Sequence, residues 1–171
     1  MRNAAWLLIF LVIAPVFAQP VPEYALKSAL LFKLPQFVYR QDLDRSTPLS
    51  ICVLGNSPFG GLLERLAQTP INGRTVRTVR LEGPRDATAC EFVFISRSEA
   101  NGLDGILRRM GSYPVVTVSD IEGFARSGGM VELALGGEGG AISILINRQA
   151  AQRQGIEFNA QLLRLAKMVE P

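Results

Sequence analysis

The stretch Leu49-Ser50-Ile51-Cys52-Val53-Leu54-Gly55-Asn56-Ser57-Pro58-Phe59-Gly60-Gly61-Leu62-Leu63-Glu64-Arg65-Leu66-Ala67 carries the decisive pattern of this chain. A short apolar run breaks at a glycine-rich turn and passes into a segment with helical character from Leu62 to Ala67. The alternation recurs downstream. Thr75–Leu81, Glu91–Ile95 and Val115–Val118 read as further strands, with a helix from Leu103 to Met110 between the last two. Strand, helix, strand in repetition predicts a parallel sheet with helices on its faces.

Towards the carboxyl end the pattern changes. Met130–Leu135 and Ala141–Ile146 alternate with period two around Gly136-Gly137-Glu138-Gly139-Gly140, which predicts an antiparallel hairpin. A final helix is expected from Ala160 to Val169, with Asn159 as its cap and Lys167 near its negative end. Towards the amino end, Leu26, Leu30 and Leu34 repeat at helical spacing after Pro20-Val21-Pro22. Pro35 ends or kinks that helix, Phe37 and Val38 continue its apolar face, and Asp42–Pro48 is a polar loop. No repeat, low-complexity stretch or linker interrupts the chain. The expected fold class is α/β: a largely parallel central sheet flanked by helices on both faces, with a carboxyl-terminal antiparallel hairpin and final helix. Residues 19–171 form the single expected domain.

The first residues have a different purpose. Arg2, an apolar run from Ala4 to Val16 and then Val16-Phe17-Ala18 make the three-part pattern of a cleavable export signal. Residues 1–18 are therefore expected to be removed and the product delivered to the periplasm. The run falls short of the roughly 20 apolar residues of a membrane span, which makes an uncleaved anchor the weaker reading. With no cysteine after the cut, a lipid anchor there is not expected.

The 171 residues are 48% hydrophobic and 19% charged, an ordinary globular balance. The net charge is +3 and the arginines are scattered without interleaved aromatics, so no nucleic-acid partner is expected. Histidine is absent, which removes the commonest general base and zinc ligand together. No metal and no cofactor is assigned. The two cysteines, Cys52 and Cys90, suggest one disulfide in an oxidising compartment, against the alternative of two buried thiols. A sheet whose order begins 2-1-3 would set the first strand beside the third and bring both sulfurs to one end of the sheet, which permits the bond.

Gly55–Gly61 stands where a phosphate loop would sit, yet lacks both the dinucleotide and the Walker spacing, so a structural turn with Pro58 starting the helix is the preferred reading. Ligands of open α/β sheets bind at the carboxyl ends of strands. There the chain carries Asn56 and Ser57, then Ser96, Arg97 and Ser98, then Ser119, Asp120 and Glu122. Asn56, Ser57, Ser96, Arg97 and Asp120 are the candidates for holding a small polar or anionic ligand, and Phe124 for a partner surface. The plainer alternative makes Ser98 a helix cap, Arg97 a solvated charge and Phe124 core. A serine hydrolase would have to work without histidine. Asp120 with Glu122 makes an unpersuasive catalytic pair.

Several segments taken together resemble the YfiR/HmsC-like periplasmic proteins: YALKSALLFKLPQFV (Tyr24–Val38), ICVLGNSPFG (Ile51–Gly60), NGRTVRTVRL (Asn72–Leu81), CEFVFIS (Cys90–Ser96), VTVSDIEGFARSGGMVEL (Val116–Leu133) and ISILINRQAAQRQGIEFNAQLLRLAK (Ile142–Lys167). The resemblance implies an α/β sandwich and a disulfide between Cys52 and Cys90. It also implies a non-enzymatic repressor that binds the periplasmic region of an inner-membrane diguanylate cyclase and lowers cyclic di-GMP, exopolysaccharide and biofilm output. An outer-membrane lipoprotein antagonist or a redox disturbance relieves that repression in such proteins, and they commonly self-associate as homo-oligomers, here expected as a homodimer. The alternative function is a periplasmic small-ligand binding protein serving a transporter or sensor kinase. Two features depart from the resemblance: Pro35 falls inside the first helix motif, and the second cysteine pair of some relatives is missing.

Overall fold

The structure is a computed structural model, and it describes residues 22–40, 46–136 and 141–170. The expected export leader, residues 42–45 of the expected polar loop and residues 137–140 of the expected hairpin turn lie outside the described residues. Nine strands are described: β1 (Val38–Arg40), β2 (Leu49–Leu54), β3 (Val76–Leu81), β4 (Phe92–Ile95), β5 (Val116–Ser119), β6 (Val131–Leu135), β7 (Ile142–Ile146), β8 (Ile156–Phe158) and β9 (Lys167–Met168). Five α-helices accompany them: α1 (Glu23–Lys33), α2 (Leu62–Leu66), α3 (Leu103–Met110), α4 (Arg148–Gln152) and α5 (Ala160–Leu165).

Seven strands form the main sheet in the order β3-β2-β4-β5-β6-β7-β9. The expected start of the order, with the second strand outside the first and the third beside it, is found. Pairs from β3 through β6 are parallel, and β6 and β7 make the expected antiparallel hairpin, with Leu133 opposite Ile144. Because the chain first steps outwards from β2 to β3 and later steps the other way from β4 to β5, right-handed crossovers require the two helices to lie on opposite faces. They do. Leu63 of α2 packs with Ile51, Val53 and Phe94 on one face, whereas Leu103, Ile106 and Met110 of α3 pack with Val93 and Ile95 on the other.

Four sequence expectations are corrected. Val38 does not extend the first helix: a short 3-10 turn over Leu34–Phe37 follows Pro35, and β1 then pairs antiparallel with β8, setting Val38 opposite Phe158. The final helix stops at Leu165, because Ala166 turns extended and β9 docks on the open edge of β7. Lys167 therefore lies in a strand. Pro58 does not start α2, which begins at Leu62 after Gly61, a residue with φ of 80°. The buried stripe of α1 runs through Lys27, Ser28, Leu31 and Phe32, while Leu26 and Leu30 stay half-buried.

Candidate functional site at the carboxyl edge of the sheet

The turn after β2 and the turn after β4 meet at the point where the chain reverses direction across the sheet, the usual ligand crevice of such folds. Here the two turns bond to each other. Ser96 Oγ donates to the Asn56 carbonyl at 2.6 Å, and the Asn56 amide donates to Ser98 Oγ at 2.9 Å. A Cβ on Gly55 would fall 2.4 Å from Ser98 Oγ, and Gly55 has φ of 85°, so glycine is needed twice over. Ser96, not Ser98, caps the following 3-10 turn by accepting from the Ser98 amide. Ser57 Oγ accepts from the Phe59 amide, at 3.4 Å.

One strand further along, polar groups gather under α1. Asp120, directly after β5, is buried, and its Oδ2 accepts from Lys27 Nζ at 2.8 Å and from the Tyr24 hydroxyl at 3.0 Å. Arg97 Nε lies 3.2 Å from the same oxygen and also donates to the Asp120 carbonyl at 3.3 Å. Glu23 completes the group: its carboxylate takes a hydrogen bond from Lys27 and sits 3.7 Å from Arg97 Nη2. The Lys27 and Asp120 side chains are 0% exposed, whereas the Arg97 side chain is 54% exposed. Two cations thus face two carboxylates, which is what allows charge to be held away from water. Among the described residues no donor meets Asp120 Oδ1.

The apolar side of the cluster fixes its geometry. The Tyr24 ring meets Phe59 edge-on at 6.1 Å, Phe59 meets Phe94 at 4.7 Å, and Lys27 Nζ lies 5.0 Å from the Tyr24 ring centre. Burial, then the charge and hydrogen bond of Asp120, push the Tyr24 hydroxyl above its ordinary value, with Arg97 opposing in part. Chemically the arrangement is a fastening. Two donors and the Arg97 cation occupy one Asp120 oxygen, and the hydroxyls of Ser96 and Ser119 donate to backbone carbonyls.

Of the sequence candidates, the fold joins Arg97 to Asp120 and Asn56 to Ser96, while Ser57 stands apart. Phe124 is corrected: its ring is wholly buried in the cluster of the α3 face, packed so closely on Gly129 that a Cβ there would lie 2.1 Å from it. A ring without exposure cannot contact a partner in the folded state. Glu122 is exposed and takes no part in the cluster. Glu23, Tyr24 and Lys27 escaped the sequence reading. The signal was present, since Glu23, Lys27 and Leu31 fall on one line of the helix at spacing of four, and a lysine in a core-facing stripe requires a buried anion.

The cysteines are joined. Cys52 in mid-β2 and Cys90 just before β4 form a disulfide with their Cα atoms 6.1 Å apart, buried among the residues of the α3 face.

Residues 24–167 match the YfiR/HmsC-like family, a span running from the first turn of α1 to β9. The chain belongs to this family. Its members are periplasmic regulators of the cyclic di-GMP pathway and act without catalysis. Among solved structures, a conserved domain protein of Vibrio cholerae O1 biovar El Tor superposes with a TM-score of 0.62 at 13% identity, over 88% of this chain and 61% of that one. The ABC domain from Streptococcus pneumonia in complex with L-Trp superposes with a TM-score of 0.55 at 15% identity over 85% of this chain and 60% of that one. CD0873, a substrate binding protein with adhesive properties from Clostridium difficile, gives 0.56 at 12% identity over 82% and 58%. These likenesses show the α/β fold, and the chain spans about three fifths of the length of each. Among the described residues, no helix is long and apolar enough to cross a membrane.

Proposed function

We propose that this protein, exported by its leader at residues 1–18, binds the periplasmic region of an inner-membrane diguanylate cyclase and holds it inactive, lowering cyclic di-GMP and with it exopolysaccharide and biofilm. The observation that carries this reading is the family match across residues 24–167. In its support, the polar groups at the strand ends are engaged with one another, as suits a rigid binding module better than a catalyst.

The mechanism is a biased equilibrium. A regulator shifts its receptor only by binding one conformation more tightly than the other. Moving a cyclase from almost wholly active to almost wholly inactive needs a preference of about 10,000-fold. An outer-membrane lipoprotein that competes for the regulator would release the cyclase, and self-association as a homodimer would let one regulator engage a dimeric receptor. Any redox control works through Cys52–Cys90 alone.

Deletion of the gene in its own host, with a complemented strain beside it, tests the proposal. Cyclic di-GMP is expected to rise on deletion and return on complementation. An unchanged level under conditions of expression would sink the reading.

One observation favours a second function, a small-ligand binding protein serving a transporter or sensor kinase. The buried Asp120 Oδ1 meets no donor among the described residues, and the half-exposed Arg97 adjoins the other oxygen of the same carboxylate. That reading requires a polar metabolite whose thermal stabilisation of the protein disappears in Arg97→Ala.

A further inference from the structure

At the carboxyl edge the ends of β4 and β5 are closed by side chains bonded to one another, and the amino edge carries an opening of its own. Between the starts of β2, β4 and β5 and the ribbon of β1 and β8 lies a groove of about 310 Å³. Its floor is the core itself: Leu49, Ile71, Phe92, Val116 and Ile156 all line it. The opening follows from topology, because β1 and β8 form a sheet of their own beside the seven-stranded one.

Two arginines line the groove in different states. Arg74 is satisfied, with Nη1 donating to Glu91 Oε2 at 3.0 Å, Nη2 donating to Oε1, and Nε donating to the Thr47 carbonyl at 2.9 Å. Arg40 is not satisfied. Its Nη1 donates to the Pro114 carbonyl and its Nε is buried; among the described residues no acceptor meets that Nε and no carboxylate pairs with the guanidinium. A guanidinium is always charged and has only donors, so a buried Nε–H needs an acceptor from outside.

We propose that this groove binds a small free carboxylic acid with an apolar body, its carboxylate on Arg40 and its body along the floor. An anion supplies both the missing acceptor and the missing charge, and a charged hydrogen bond is the stronger kind. Glu91 is committed to Arg74, which leaves Arg40 without a counter-charge among the described residues. The apolar floor selects against a wholly polar anion such as phosphate. At about 310 Å³ the space is at the lower end of small-molecule sites, which limits the body to a short chain or single ring. This site lies at the opposite edge from Arg97 and Asp120 and needs no receptor.

Octanoate is the probe and octanol its uncharged control, titrated calorimetrically into the purified protein alone. Saturable octanoate binding is expected, with octanol weaker by about tenfold or more. The Arg40 Nε–H resonance is expected to move during the octanoate titration. In a folded Arg40→Gln protein the preference for acid over alcohol should vanish. Absence of saturable octanoate binding, equal binding of octanol, or a preference that survives in folded Arg40→Gln would each overturn the proposal. If that variant does not fold, the wild-type resonance decides: an Arg40 Nε–H unmoved at saturation overturns it.

Discussion

Lys27 keeps its ammonium where no water reaches, held by Asp120 on one side and Glu23 on the other. Removing one partner of such a pair strands the other charge, at a cost of about 3 kcal/mol. Lys27→Met should therefore destabilise the protein by about that much in urea titrations, although its apolar body suits the site. Asp120→Asn should cost a comparable amount. The double variant should cost less than the sum, by about 1 to 3 kcal/mol, because neither charge is then left alone. Additive losses would mean that the pair is not coupled. Tyr24 gives a second reading of the same cluster. Its hydroxyl titrates above the ordinary value of about 10, so the folded state holds that proton more tightly than the unfolded state. The resulting contribution is whole below about pH 10 and is lost as pH rises through the folded value. The phenolate absorbance of wild type minus Tyr24→Phe should show a midpoint above that of a free tyrosine, and the variant should lack this part of the alkaline loss of stability.

At the scale of elements, the disulfide ties β2 to the turn that enters β4, closing a sequence separation of 38 residues. In the chain-entropy picture a loop of that length is worth about 4 kcal/mol through the unfolded state. Cys52→Ala with Cys90→Ala should lower the unfolding free energy by up to about that amount, read from the shift of the urea midpoint at constant slope. The strands joined in this way were among those legible in the sequence. β2 and β4 are apolar runs and β3 and β5 are short runs rich in valine, each followed by glycine or polar residues, and their order follows from the connections between them. β1, β8 and β9 were not legible. Each has two or three residues, and what makes Val38 a strand is Phe158, far away in the chain. The site divided in the same way. Arg97 and Asp120 could be read because strand-end loops converge by topology. Glu23, Tyr24 and Lys27 come to them from a helix whose line of Glu23, Lys27 and Leu31 hinted at the buried face, but the leucine spacing pointed to a neighbouring stripe and nothing local says which loop that face meets.

At the scale of the molecule, stability and receptor binding become separable. If the protein acts as a rigid body that favours one receptor conformation, the disulfide serves it by keeping the chain folded, not by touching the receptor: Cys52 and Cys90 are both buried. The protein lacking both cysteines should then bind the purified periplasmic domain of the cyclase with wild-type affinity wherever it remains folded. As temperature rises towards its own melting transition, apparent affinity should fall by the folded fraction alone, since the population competent to bind sets the measured constant. Calorimetric titrations at low temperature and near the melting transition, with the folded fraction measured separately by circular dichroism, make the comparison. Matching affinities in the cold, with a warm loss that tracks unfolding, assign the disulfide to the fold. A weaker complex in the cold, from a protein fully folded by circular dichroism, would instead make the local geometry of β2 and β4 around the disulfide part of recognition. Redox relief of repression would then act on the binding surface and not through collapse of the regulator.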